Sequence, residues 1–212
     1  EVIADKGIWV AKKRYILNAH DVEGVRYKEP KLKIMGVEAV KSSTPAACRE
    51  KIKEALTIIM NEDDKVLNSF IQDFRTEFMN LKPELIAYPR SVNGLTKWTE
   101  SHNLFKKGAP IHCKGAILYN HLLQDKKLQG KYPYIQEGDK IKFLHMKTPN
   151  VYQSTSISFM TKLPNELNLH TFIDYDMQFE KSFVEPLKFI TNIIKWQIDD
   201  SYGTQGTLEG FF

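Results

Sequence analysis

The chain has 212 residues, 42% of them hydrophobic, enough for one domain of ordinary size, with or without a small appendage, around a substantial core. No run approaches the roughly eighteen apolar residues of a membrane span, so no membrane is expected among its partners. The net charge is only +4, but residues 90–147 hold eleven Lys and Arg against four Asp and Glu, and residues 164–212 hold three against eight. A basic middle beside an acidic end suits a protein that holds a polyanion on one face; an unevenly charged solvated surface gives the same count. The start shows neither a signal-peptide pattern nor an initiator Met, which fits trimmed material or a piece of something longer. Cys48 and Cys113 stand far apart without metal-ligand spacing, as expected for two reduced thiols of a cytosolic protein.

In chain order, residues 8–19 are β-branched and aromatic and read as one strand, with 25–34 as its partner. Asp21-Val22-Glu23-Gly24 supplies the turn of a β-hairpin. Pro30 places the second strand at an edge or a bulge. Lys41-Ser42-Ser43-Thr44-Pro45 announces a helix, with Thr44 as N-cap and Pro45 at the first helical position. Cys48, Ile52, Ala55, Leu56 and Ile59 then form one buried stripe. After a break at 61–64, Leu67, Phe70, Ile71, Phe74, Phe78 and Leu81 mark the face of a second helix, antiparallel to the first. These phenylalanines read as helix core rather than as base-stacking platforms. Residues 83–110 look irregular, 115–128 helical, and 140–146 and 156–160 extended. Phe179, Phe183, Leu187, Ile190, Ile194 and Ile198 set out a last long amphipathic helix that Pro186 kinks or restarts. Periodicity ends after Tyr202-Gly203.

On a single strand Lys13 and Tyr15 share a face, about 7 Å apart, while Lys12 and Arg14 share the other. A cation beside an amphipathic phenol can meet phosphate, sugar or a minor-groove edge at neighbouring nucleotides. At the helix start, the hydroxyls of 42–44 and the free N–H groups can cap the helix, bind phosphate, or do both.

Lys12-Lys13-Arg14-Tyr15, the run Asp21 to Tyr27, and Glu29-Pro30-Lys31-Leu32-Lys33-Ile34-Met35-Gly36 closely resemble the replicative family-B DNA polymerases of T-even-type tailed phages. The resemblance continues through Lys41-Ser42-Ser43-Thr44-Pro45, the run His112 to Asn120, and the run Glu180 to Leu187, in order and with family-like spacing. It implies an α+β fold comprising a β-hairpin at the end of the palm (1–36), a mainly helical thumb domain with a small sheet (37–202), and a tail (203–212). It further implies that Lys13 and Tyr15 sense the minor groove behind the primer terminus, and that Lys41, Ser42, Ser43 and Thr44 meet the primer backbone. The run Arg90 to Lys97 matches a family DNA-contact loop loosely, and Asn93-Gly94 is also an ordinary turn. The implied DNA-contact set is therefore Lys12, Lys13, Tyr15, Lys41, Ser42, Ser43, Thr44, Ser91, Asn93, Lys97, Lys107, His112 and Lys114. At Lys114 the family pattern has Arg, so charge is kept but bidentate phosphate geometry is lost.

The two palm carboxylate motifs of such enzymes, Asp-x-x-Ser-Leu-Tyr-Pro and Tyr-Gly-Asp-Thr-Asp, are absent. Asp174-Tyr175-Asp176 mimics the second, but the helix pattern after it marks these acids as helix-start residues. No catalytic residue, metal ligand or cofactor is expected in this chain, with Mg²⁺ belonging to the complete polymerase. The tail Gln205-Gly206-Thr207-Leu208-Glu209-Gly210-Phe211-Phe212 fits the clamp-docking pattern Gln-x-x-Leu-x-x-Phe-Phe. One helical turn sets Leu208, Phe211 and Phe212 on one face, with Gln205 beside them; a core-packing terminus is the alternative. The expected partners are primer–template DNA, a sliding clamp and the catalytic N-terminal polymerase part, in the cytoplasm of an infected bacterium. The chain would be the carboxy-terminal part or subunit of a DNA-directed DNA polymerase, inactive alone. A non-enzymatic DNA-binding accessory that recruits or competes for the clamp is the rival reading.

Overall fold

A computed structural model describes residues 1–199, and the fold is α+β, with two small antiparallel sheets and seven α-helical segments among the described residues. The first sheet is a meander of β1 (Val2–Ala11), β2 (Arg14–Val22) and β3 (Val25–Met35) in the order β1-β2-β3. The second hairpin turns as the sequence indicates. Glu23 and Gly24 both have positive φ, 55° and 85°, and the Gly24 N–H donates to Asp21 Oδ1 at 2.8 Å. Pro30 lies on β3, an edge strand.

The expectation of one strand over 8–19 is corrected. That stretch is two strands, because Lys12 and Lys13 form a tight turn between paired Ala11 and Arg14. Lys13 adopts φ +61°, a left-handed conformation unusual for a lysine. The alternation that would set Lys13 and Tyr15 on one face is interrupted there. The meander's inner face carries the row Ile8, Ile16, Ile34, with Ile16 fully buried against the rest of the molecule.

A 3₁₀ turn (Glu38–Val40) leads to α1 (Ala46–Asn61) and α2 (Asp64–Phe78). The helical stripe read from sequence is buried as expected: Cys48, Ile52, Ala55, Leu56 and Ile59 on α1, and Leu67, Ile71, Phe74 and Phe78 on α2. The cap expected at Thr44 is corrected. Pro45 takes the N-cap position, and the Thr44 hydroxyl instead turns back to donate to the Glu38 carbonyl at 2.7 Å. At α2, Asp63 caps the helix by accepting from Val66 N at 3.0 Å.

Residues 83–110 are more ordered than their pattern suggests. They contain α3 (Pro83–Ile86), strand β4 (Tyr88–Ser91) and α4 (Leu95–Trp98). The second sheet runs β4-β5-β6, with β5 at Lys140–His145 and β6 at Ser156–Phe159. Helix α5 (Ile111–Asp125) starts four residues before the sequence pattern and lies tightly on β6. A Cβ on Gly115 would stand 2.5 Å from Ser158 Oγ and 2.7 Å from Ser158 N, so only glycine permits this approach.

The last helix is shorter and less regular than its periodicity implies. It comprises α6 (Tyr175–Phe179), a π-helical turn (Glu180–Val184) and α7 (Glu185–Thr191). Pro186 stands just after the π turn, which accommodates its missing N–H. Phe179 and Phe183 interlock with Phe74 and Phe78 at centroid separations of 4.7 to 5.8 Å. Phe70 packs on Phe183 at 6.4 Å, so all three α2 phenylalanines serve the core. Among the described residues no helix is long and apolar enough to cross a membrane.

Candidate nucleic-acid interface

Glu38 ties the meander to the segment that follows it. Its carboxylate accepts two bonds from the Arg14 guanidinium at 2.9 and 3.0 Å and one from Lys41 Nζ at 2.9 Å, while its carbonyl takes the Thr44 hydroxyl. Both bonds come from Arg14 Nη2, while Arg14 Nε is buried without a hydrogen-bond partner among the described residues, and the two side chains are 28% and 23% exposed. Arg14 also lies over the Phe189 ring at 5.1 Å. The Lys12–Lys13 turn thus leads directly into a braced residue, and Lys12 and Lys13 themselves are exposed. Gly36, at φ +64°, passes so close to the Lys13 carbonyl that a side chain there would collide with it. Tyr15 is half-buried, opposite Trp9 on β1 and Met35 on β3.

The segment 41–44 meets the second sheet through Arg90, whose Nη1 donates to the Ser43 carbonyl at 2.9 Å and to the Pro89 carbonyl at 2.8 Å. Arg90 sits over Tyr88 and Phe143, which stack at 5.1 Å. Ser42 is exposed, Ser43 half-buried and Thr44 buried. A cleft of about 420 Å³ opens here, lined among others by Arg14, Glu38, Arg90, His145, Lys181 and Glu185. Three cations, Arg14, Arg90 and Lys181, against two carboxylates, Glu38 and Glu185, give it a positive bias. Burial above all, and then the Arg90 guanidinium, hold the His112 imidazole below its ordinary pKa, so it is neutral at pH 7.

Ser91, Asn93, Lys97, Lys107 and Lys114 lie along the neighbouring surface. Ser91 ends β4 and pairs with Lys140. The Asn93 carbonyl accepts from Cys113 Sγ at 3.5 Å, which joins this loop to α5. Gly94 takes φ +79°, and the Glu137 carboxylate accepts from the N–H groups of Gly94 and Leu95, the latter at 2.8 Å. Lys97 projects over Trp98 at 4.8 Å, and Lys114 lies over Phe105 at 5.6 Å. Backbone bonds from Lys106 N to the Trp98 carbonyl and from Ala109 N to the Lys106 carbonyl hold exposed Lys107 near both.

The structure therefore gathers the sequence-derived residues into two linked patches, the 12–15 turn with 41–44, and 91–97 with 107–114. Sequence reasoning missed the residues that brace them: Arg14 and Glu38 at the first patch, Glu137 at the second, and Arg90 between the two. Glu38 had a usable signal, as the last acid before the Lys41-Ser42-Ser43-Thr44 run. Asp174 and Asp176 act at a helix start as expected; Asp174 caps α6 by accepting from Met177 N at 2.9 Å, and Asp176 pairs with Arg75 at 2.9 Å. Gln205, Leu208, Phe211 and Phe212 lie outside the described residues.

No protein-family model matches the chain. It is 34% identical over 185 residues to the DNA-directed DNA polymerase of Enterobacteria phage T4, covering 85% of this chain and 20% of that protein. It is 34% identical over 194 residues to the DNA-directed DNA polymerase of Escherichia phage RB69, covering 89% and 21%. The chain is a relative of phage DNA polymerases. As a polymerase relative it spans about a fifth of the length of the curated proteins it matches, and the match fits a carboxy-terminal part of such an enzyme.

Proposed function

We propose that this chain is the primer–template-gripping part of a phage DNA-directed DNA polymerase. The observation that carries the reading is the Glu38–Arg14–Lys41 junction with the Arg90–Ser43 bond. It sets a lysine turn, a hydroxyl segment and a basic cleft side by side in a rigid arrangement, as a duplex backbone requires. Residues 1–36 act as the end of the palm, 37–202 as the thumb and 203–212 as a tail that docks on a sliding clamp. Exposed Lys12, Lys13, Ser42, Ser91, Asn93, Lys97 and Lys107 reach phosphates, together with partly buried Lys41, Ser43 and Lys114. Tyr15 meets the minor groove, and buried Thr44 braces the segment. Neutral His112 serves as a hydrogen-bonding group rather than as a charge. Nucleotidyl transfer, with its Mg²⁺, falls to carboxylates in a catalytic part outside this chain, working in the cytoplasm of the infected host.

Reconstituted primer extension tests this. The chain alone is expected to extend no primer with Mg²⁺ and four nucleotides, and to support extension once mixed with a polypeptide carrying both Asp motifs. In that mixture Lys13→Ala is expected to slow extension at least ~10-fold through lost primer positioning, with folding unchanged. Extension by the chain alone, or normal extension by the variant, contradicts the reading. Duplex and clamp binding with no effect on any catalytic partner would favour an accessory protein.

A further inference from the structure

The side chain of Gln178 holds the His145 ring in one tautomer. Gln178, on α6, is fully buried. Its Nε2 donates to the Ile86 carbonyl at 2.6 Å, and its Oε1 accepts from the His145 backbone N–H at 3.1 Å. A carbonyl only accepts and a backbone N–H only donates, so these two partners fix which end of the amide faces the ring. The same Oε1 stands 2.8 Å from His145 Nδ1, which therefore carries a proton. Nε2 is then the atom that is bare in a neutral ring and a donor in a charged one.

That atom faces the cleft beside the 41–44 segment, which His145 helps to line. Among the described residues, Arg14 Nε is the one buried side-chain nitrogen or oxygen without a partner, so the unpartnered Nε2 of His145 reaches solvent. Pairing of β4 with β5 sets Tyr88 and Arg90 on the sheet face that carries Phe143 and His145. The imidazole meets the Tyr88 and Phe143 rings at 6.1 and 5.8 Å.

The charges around it favour an anion. Arg14 is matched by Glu38, and Lys181 by Glu185. Arg90 is held by the Ser43 and Pro89 carbonyls, which leaves the cleft one cation in excess. Burial pushes the Tyr88 hydroxyl up, so it stays neutral. Behind the strand, the Asp174 carboxylate caps α6, while its N–H donates to the His145 carbonyl at 3.0 Å. His112, on the far side of Phe143, is neutral at pH 7. An imidazole can add a second positive charge between about pH 5 and 8.

We propose that His145 is a phosphate ligand of this cleft. With Nδ1–H held by Gln178, Nε2 takes a proton from solvent as a DNA backbone phosphate enters, and donates a charge-assisted hydrogen bond to it. Proton uptake thus strengthens the grip on primer–template. The inference rests on the primer-gripping reading above and adds to it a contact residue, the residue that positions it, and a pH dependence.

The test uses the whole chain with nitrogen-15-labelled histidine, titrated with primer–template and separately with inorganic phosphate at about pH 8 and about pH 6. The free chain is expected to show neutral His145 as the Nδ1–H tautomer, with Nε2 gaining its proton on DNA. Between the two pH values, wild-type affinity for primer–template is expected to rise ~3–10-fold more than that of His145→Asn. Asparagine keeps an N–H for Gln178 and has no atom at the Nε2 position, so the melting temperature is expected to be kept. His145→Gln, which offers an uncharged N–H near that position, is expected to lose the same pH gain and reads the proposal should the His145→Asn chain fail to fold. Coincident pH profiles of wild type and variants, or an Nε2–H tautomer in the free chain, would overturn the proposal while salt-dependent DNA binding leaves the polymerase reading standing. A His145 signal that follows inorganic phosphate but not DNA would make the cleft a free-anion site and overturn it equally. A wild type that binds no primer–template at either pH would remove the polymerase reading, and the proposal with it.

Discussion

Glu38 holds two cations and one hydroxyl, so its loss is felt at the candidate interface and in the fold. Glu38→Gln keeps the carbonyl that accepts from Thr44 but removes the charge opposite Arg14 and Lys41. With Arg14 only 28% exposed, the unpaired guanidinium is expected to cost about 1–3 kcal/mol, readable by chemical denaturation. A variant as stable as the wild type would show that the junction is incidental. Gly36→Ala forces a side chain against the Lys13 carbonyl at φ +64° and is expected to lose about 1–3 kcal/mol while reshaping the Lys12–Lys13 turn. His112 gives the pH dependence. Its folded pKa is depressed by burial and by Arg90, so the unfolded chain binds the proton more readily. The stability it contributes is present above the ordinary imidazole value of 6.5 and is lost as pH falls through the folded value. His112→Gln is expected to flatten the acid limb of the stability–pH curve below that value; an unchanged limb would contradict the assignment.

At the scale of elements, the close contact of α5 and β6 fixes the surface that carries His112 and Lys114. Gly115→Ala would drive a methyl into Ser158 and is expected to destabilise by about 1–3 kcal/mol, or to lift α5 from the sheet, as a denaturant midpoint would report. The helical pair was legible because its stripes follow a period of 3.6 residues, and the second hairpin because Asp21 and Gly24 carry turn chemistry. The first turn was illegible, since Ala11-Lys12-Lys13-Arg14 contains no Gly, Pro or Asn; a lysine takes positive φ there because its surroundings hold it. Strand β4 was hidden by its four-residue length and by Pro89. The end of the last helix was misjudged because Ile194 and Ile198 continue the apolar period although α7 stops at Thr191. Of the candidate interface, the exposed cations could be read from the sequence. The Arg14–Glu38 ion pair and the Arg90–Ser43 bond join residues 24 and 47 apart and leave no periodic trace.

On the proposed reading, the whole molecule joins a gripping surface to a docking tail. Phe211→Ala with Phe212→Ala is expected to abolish binding to the cognate clamp, since each ring would bury about 1.5–3 kcal/mol of apolar surface in the complex. Melting temperature and primer–template affinity are expected to stay unchanged; a collapse in melting temperature would mean the tail packs in the core. The most direct test of the central claim is a salt titration of primer–template binding by the chain, wild type against Lys13→Ala/Lys97→Ala/Lys107→Ala. These three lysines are exposed, and their loss removes none of the braces described above. The account predicts sequence-independent binding that weakens steeply with salt, and in the triple variant a logarithmic slope shallower by about 2–3. Binding that ignores salt, or a triple variant with wild-type affinity and slope, would contradict it.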